Sequence, residues 1–276
     1  MNTTNVTDNT NTTVTSGVTR PVQHRPSWWR SARAVIRFTT VRVMSPAMVL
    51  AFVGLTVLPW LFAMAFASRG ALSGDPVPFL MQRFDQLVLG LSLPLLALLL
   101  SARAFGAEAD DGTLLYLITT TTPRWWMVCV RVLFATVVTG AAAAVAIVGT
   151  GGIATGWQDP HHLTRAFVVA ALVGATAYAA LFTLLALYTR RALVSGLLYV
   201  VVWEGVFTRT FPGLNYASVH QWMLSVAGAL TTASEAQLAS GPSPTWSLAA
   251  TALVAVVAVV AGGRRLAAPR MGRIGT

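Results

Sequence analysis

Three groups of residues in this 276-residue chain have types and spacings that can do chemistry. The first is Glu108-Ala109-Asp110-Asp111-Gly112-Thr113-Leu114, which lies between two apolar stretches and runs on to Pro123-Arg124. Asp110 or Asp111 can cap a short helix starting near Gly112-Thr113, where negative charge suits the helix N-terminus. Leu114, Leu115, Leu117 and Ile118 make that helix apolar on one side, so it needs a cover of lipid headgroups or of a partner protein. The second is Glu204, an acid inside an apolar stretch and five residues before Arg209. A charge within a membrane span is costly, so it either pairs, here with Arg209, or serves a substrate, a proton or an outer vestibule. The third is Asp159 with His161 and His162, which can ligate a metal but is read here as a solvated turn.

What is missing narrows the chemistry further. The chain has no lysine, so it cannot supply a G-x-x-x-x-G-K-[ST] phosphate loop. Any ATP it depends on must be bound and hydrolysed by another polypeptide, and no cofactor or metal is expected in this chain. No H-E-x-x-H or G-x-S-x-G arrangement occurs, and His24 and His220 stand alone. The chain is therefore not expected to be an enzyme. A single cysteine, Cys129, excludes an intrachain disulfide and suits a packing role.

Composition says what must hold these groups. The chain is 55% hydrophobic and 10% charged, with a formal net charge of +10 and a mean hydropathy of +0.66. A soluble domain carries roughly a quarter charged residues. Such a basic excess can signal nucleic acid. Here the arginines flank apolar stretches, so membrane topology accounts for them and no nucleic-acid partner is expected.

A membrane-crossing helix needs about 20 mostly apolar residues. Six stretches qualify: 46–67, 86–104, 125–150, 165–189, 193–211 and 245–263, the fifth being weakest because it holds Glu204. Pro59 and Pro94 are expected to kink their spans. Residues 1–27 are Asn/Thr-rich without an apolar core, reading as a disordered tail and not as a cleavable signal. Over 28–45, Trp28, Ala32, Val35, Ile36 and Val43 share one helical face and Arg30, Arg33 and Arg37 the other, predicting an interfacial helix on membrane lipid. The segment 208–244 is too long for a simple connector, and its apolar middle, 217–230, is too short to cross, which predicts a re-entrant or interfacial element.

Arginine placement sets orientation. With the N-terminus in the cytoplasm, Arg30, Arg33, Arg37, Arg42, Arg103, Arg124, Arg190, Arg191, Arg264, Arg265, Arg270 and Arg273 fall inside. Only Arg69, Arg83, Arg165 and Arg209 fall outside. Arg131, within the third span, is explained by snorkelling to the inner interface. Twelve against four predicts both termini, including the basic tail 264–276, in the cytoplasm. Trp125 and Trp126 then mark the inner interface, and Trp157 and Trp246 the outer one.

At the loop 106–124 the sequence resembles the type 2 permeases of ATP-binding-cassette (ABC) transporters. The residues that carry the resemblance are Glu108, Gly112-Thr113-Leu114, the apolar run Leu115 to Ile118, and the polar, proline and arginine cluster from Thr121 to Arg124. Arg131 stands where such permeases usually have a Gly-Lys pair, and Pro123 is displaced from the usual position near Thr121. Such permeases have an N-terminal elbow helix, six spans, and short re-entrant helices between the fifth and sixth. The run Tyr199 to Gly205 is also similar to permeases of this group from high-GC bacteria.

The resemblance implies an all-α polytopic protein of the bacterial inner membrane, with a six-span domain over 46–263. It implies the membrane subunit of an exporter, paired with a second permease, identical or paralogous. The partner that hydrolyses Mg-ATP is a cytosolic ABC ATPase subunit, which presses on the loop 106–124 as a coupling helix. Glu108, Gly112, Thr113, Leu114, Leu117 and Arg124 are the expected coupling residues. Two rival readings use the same features: a membrane scaffold for a cytosolic complex, and an ATP-independent carrier.

Overall fold

The computed structural model describes residues 45–68, 76–110, 124–189, 191–232 and 241–267. The predicted tail and nearly all of the predicted interfacial helix lie outside these residues, as does the coupling motif from Asp111 to Pro123. The described residues are helical throughout, apart from short turns, with no strand among them. Helix α1 is Pro46–Ser68. Helix α2 covers 76–110, helix α3 Arg124–Thr155, and helix α4 Leu163–Tyr188. Helix α5 covers 192–210, helix α6 is Val219–Leu230, and helix α7 is Pro244–Ala267.

Five segments have the length and apolarity to cross a membrane: Pro46–Ser68, Pro76–Arg103, Trp125–Thr155, Pro160–Tyr188 and Pro244–Leu266. They make the chain a multi-pass membrane protein by length and composition. The remaining predicted span is α5, whose apolar part, Ala192–Phe207, is shorter than those five. Helix α2 begins ten residues before its predicted span and continues to Asp110. Its extension beyond 104 carries Ala107, Glu108 and Ala109, which favour helix, and a helix has no reason to stop where hydrocarbon ends.

Helix α4 is the hub of the bundle, packing against α2, α3, α6 and α7. Its small residues Ala170, Ala171, Gly174, Ala175, Ala177, Ala179 and Ala180 are buried, which lets neighbouring backbones approach closely. Without a hydrophobic drive between helices in lipid, this close packing is what binds them. Aromatic contacts join helices: Phe84 of α2 lies 5.2 Å from Phe167 of α4, and Phe182 of α4 lies 6.1 Å from Tyr199 of α5. Helix α1 is peripheral, with Leu50, Val53, Leu61 and Met64 exposed. It is anchored by Trp60 Nε1, which donates to the Ala146 carbonyl at 3.1 Å, and by Ser92 Oγ, which donates to the Leu55 carbonyl at 3.0 Å. The Trp60 ring lies against Gly149, where an added Cβ would come within 2.3 Å of it.

Two helices contain a wide, π-helical turn: α2 over Phe84–Ser92 and α5 over Tyr199–Phe207. In α2 the turn ends just before Pro94, which has no N–H to donate and crowds the carbonyl one turn back. Gly90 lies over the carbonyl of Asp85, where a Cβ would stand at 3.1 Å.

The helices define two ends. At one, Gly263 meets Trp125, Gly262 meets Leu187, and the Arg265 guanidinium sits 5.4 Å from the Tyr188 ring centre. Arg103, Arg191, Arg264 and Arg265 are exposed at this basic end. At the other, the turn at 156–162, the segment 211–218 and α6 come together, with Arg83, Asp85, Asp159 and Arg165 nearby. Arg131 of α3 is buried, only 6% exposed, so it lies among the helices and not along a lipid-facing surface.

Candidate functional site

Glu204 sits in the wide turn of α5 and is 8% exposed. A carboxylate there must find donors, because hydrocarbon offers none. The structure supplies three. Ser218 Oγ donates to its Oε2 at 2.5 Å, the Val219 backbone N–H to Oε1 at 3.0 Å, and the Tyr199 hydroxyl to Oε1 at 3.2 Å. The Tyr178 hydroxyl of α4 also lies within electrostatic reach of the carboxylate.

These donors belong to a helix start. Ser218 is the N-cap of α6: its Oγ accepts the Gln221 N–H at 3.3 Å while its own hydroxyl proton goes to Glu204. The Val219 N–H is one of the four that a helix leaves unpaired at its N-terminus. Glu204 thus caps α6 from a different helix, and its charge faces the positive end of the α6 dipole. The sequence reading set Arg209 against Glu204; the Arg209 side chain lies outside the described residues. Both carboxylate oxygens are engaged by partners that the sequence reading did not identify.

The next residue of α6 meets a second acid. His220 Nε2 lies 2.8 Å from Asp85 Oδ1, in the wide turn of α2. Gly90 lies alongside it, where a Cβ would stand at an ordinary contact distance of 3.6 Å from His220 Cε1. Residues 218, 219 and 220 are therefore held by two acids, each carried on a wide turn. Such turns recur at functional positions in helices.

The body of α6 is buried as well. Val219, Trp222, Met223, Val226 and Ala227 pack inward, and Met223 presses on Gly174 so closely that a Cβ there would sit 1.9 Å from its sulfur. Ser225 Oγ and Ser247 Oγ of α7 share a hydrogen bond at 2.6 Å. Trp222 Nε1 and Trp246 Nε1 both donate to the Tyr216 carbonyl, at 2.9 and 3.3 Å. At the far end of α6, Thr231 Oγ1 and the Thr232 N–H both donate to the His161 carbonyl, at 3.0 and 3.1 Å.

That carbonyl is aimed by an unusual turn. Trp157, His161 and His162 all have left-handed backbone, with φ of 70°, 56° and 56°. Such conformations cost of order 1 kcal/mol or more each and persist when surroundings impose them. Asp159 helps by accepting the Thr164 N–H at 2.8 Å and pairing with Arg165 at 3.4 Å. Among the described residues, no three His, Cys, Asp or Glu side chains form a metal-binding group, so Asp159, His161 and His162 do not assemble one.

Of the expected coupling residues, Glu108 lies in the final turn of α2, with its side chain undescribed, as is that of Arg124 at the start of α3. Gly112, Thr113, Leu114 and Leu117 lie outside the described residues. The sequence carried one unused signal for the α6 start: Ser218-Val219-His220-Gln221 has the Ser-x-x-Gln spacing of a capping box before an apolar run. No protein-family model matches the chain, and no curated protein matches it.

Proposed function

We propose that this chain is the membrane-embedded permease subunit of an ABC exporter. In this reading it moves a substrate across a bacterial inner membrane with ATP hydrolysed by a separate cytosolic subunit. The observation that carries it is the loop motif Glu108, Gly112-Thr113-Leu114 through Arg124, set between two spans that belong to one multi-pass bundle. Helix α5 is read as a sixth crossing, with 211–230 as the re-entrant element and both termini in the cytoplasm. The exposed arginines at the basic end support that orientation.

Two structural features support an ATPase partner at that end. Helix α2 runs past its arginine-marked boundary to Asp110, projecting toward the motif. Its last turn carries Glu108 and Asp110 and no basic residue, a pattern the helix dipole disfavours. A basic surface on a partner would relieve it. The ATP-independent carrier reading is weakened by Glu204, because a carrier that moves ions or protons needs an available charge and this one is occupied as a helix cap.

The test is a mild-detergent pull-down of the tagged full-length chain from its host, with mass spectrometry of the co-purifying proteins. A stoichiometric soluble subunit with a phosphate-binding loop is expected, and a co-purifying paralogue would mark a heterodimer. Recovery without any ATPase, under conditions that hold a known ABC complex together, overturns the reading in favour of the scaffold or the ATP-independent carrier.

A further inference from the structure

We propose that Arg83 and the two rings beside it form a seat for the phosphate of an anionic phospholipid, at the end of the bundle where α1 finishes and α2 begins. The inference rests on these helices crossing a bilayer and not on the permease reading.

The Arg83 guanidinium is held between two helices. Its Cζ lies 5.1 Å from the centre of the Phe62 ring of α1 and 5.4 Å from that of Phe79 of α2. Phe66 of α1 stacks on Phe79 at 4.0 Å, which steadies the second ring. Each ring attracts the cation to its face. A ring does not replace an oxygen acceptor, however, and the guanidinium carries five N–H donors. Arg83 Nε is buried without a hydrogen-bond partner, and Arg83 has no ion pair among the described residues.

The acids with described side chains are engaged elsewhere. Asp85 is two residues along the same helix, a spacing that turns the two side chains apart, and it meets His220 at 2.8 Å. Asp159 pairs with Arg165, and Glu204 caps α6. The cation therefore has a fixed position and no acid to meet it there.

Depth identifies the acceptor. The apolar segment Pro76–Arg103 has 28 residues, about 42 Å of helix. Hydrocarbon is only about 30 Å thick, so the first turns of the segment reach the headgroup layer. Arg83 lies about two turns from that start, near the boundary, where the abundant anion is lipid phosphate. A phosphate accepts the parallel N–H pair of a guanidinium, which an ammonium cannot match. Arg83 is half-buried, so a ligand arriving from the bilayer can reach it. Leu61 and Phe62, 56% and 40% exposed, continue the seat as apolar surface suited to acyl chains. One phospholipid covers both parts, whereas a free anion would satisfy only the charge. A zwitterionic headgroup brings its own cation close to Arg83, so a lipid with net negative charge is the better fit.

The test uses full-length protein in nanodiscs of phosphatidylglycerol and phosphatidylcholine in equal amounts, with native mass spectrometry counting the lipids retained per chain. Phosphatidylglycerol is expected to be retained in preference. Arg83→Gln is expected to weaken that retention roughly tenfold, the scale of losing a hydrogen bond to a charged group. Arg83→Lys, which keeps the charge and loses the fork, falls between. Phe62→Leu keeps the guanidinium but removes one ring; it is expected to act in the same direction and serves if the Arg83 variants are not recovered. Arg103→Gln, which removes an exposed arginine further along α2, is the reference for unspecific charge. Unchanged retention in Arg83→Gln overturns the proposal, as does an equal fall in Arg83→Gln and Arg103→Gln. Displacement of the retained lipid by excess glycerophosphate, a headgroup without acyl chains, also overturns it and would make this a site for a free anion.

Discussion

The carboxylate of Glu204 accepts the backbone N–H of Val219, fifteen residues later, at 3.0 Å inside the bundle. This turns the most conspicuous charge in the apolar sequence into a cap for another helix. It also fixes what the residue's replacement must do. Glu204→Leu leaves the Ser218 hydroxyl and the Val219 N–H buried without an acceptor, whereas Glu204→Gln retains one carbonyl oxygen for them. The expected loss is about 3 kcal/mol for leucine and smaller for glutamine. Thermal unfolding of the detergent-solubilised variants checks the order. Equal effects of the two would show that the cap contributes little.

Gly174 and Met223 offer a cleaner probe of packing, since no charge is involved. A Cβ at position 174 collides with the Met223 side chain. Gly174→Ala is therefore expected to cost about 1–3 kcal/mol through overpacking, and Met223→Ala about 2–5 kcal/mol through the cavity it leaves. The double variant should be more stable than the sum of the single losses predicts, because each change relieves the other. A double-mutant cycle on melting midpoints measures this coupling, and strict additivity would mean that the two helices re-space without strain.

The positions of most long helices were legible in the sequence because bilayer thickness imposes a length on any crossing helix, and an apolar run of that length has few other uses. The wide turns were not legible. Pro94 announces a disturbance in α2, but no residue type encodes an extra residue per turn, and α5 has no proline within Tyr199–Phe207 at all. The partners of Glu204 were hidden for a different reason. Sequence offers Arg209 as the nearest opposite charge, while the actual donors are an uncharged hydroxyl and a backbone N–H brought back by the turn at 211–218. Only the Ser-x-x-Gln spacing at 218–221 pointed to a helix start there. The coupling motif was visible through resemblance alone, since a short amphipathic loop helix looks the same to physics whether lipid or protein covers it.

Span count and orientation are decided together by parity. If α5 crosses, the chain crosses six times and its two ends share a side; with five crossings they are on opposite sides. Reporter fusions at residue 267, and separately within 233–240, are expected to report a cytoplasmic C-terminus and an external connection. A cysteine placed before Pro46 should be protected from an impermeant reagent in intact cells, as expected of a cytoplasmic N-terminus. An exposed N-terminus with a cytoplasmic C-terminus would leave α5 as a half-crossing helix and remove the six-span arrangement.

Helix α1 is tied to α3 by Trp60, whose ring rests on Gly149 and whose N–H reaches the Ala146 carbonyl. Trp60→Phe removes the hydrogen bond and is expected to cost about 1 kcal/mol. Gly149→Leu fills the ring's seat and should loosen α1 from α3 more severely. Disulfide trapping between cysteines on facing turns of α1 and α3 would follow the separation, and trapping that survives Gly149→Leu at full rate would place the hold on Ser92 and Leu55 instead.

The coupling loop can be tested through its apolar side. Replacing Leu114 and Leu117 with aspartate puts charge where a partner or the headgroup layer would cover leucine, far in sequence from the buried contacts of α4 and α6. The variant is expected to insert and to keep its melting midpoint within a few degrees, because both residues lie in a connection between predicted spans and not within one. Its recovery of the ATPase subunit in a pull-down should fall at least tenfold, the effect of losing about 1.4 kcal/mol of binding. If the loop only lies on lipid, the same variant loses membrane-interface contact but retains whatever soluble partner the chain has. Full retention of an ATPase together with normal stimulation of its hydrolysis would remove the coupling role from Leu114 and Leu117. A variant that changes Glu108 to lysine adds a second reading, since reversing charge at the end of α2 should weaken a basic partner surface while improving the helix's own dipole.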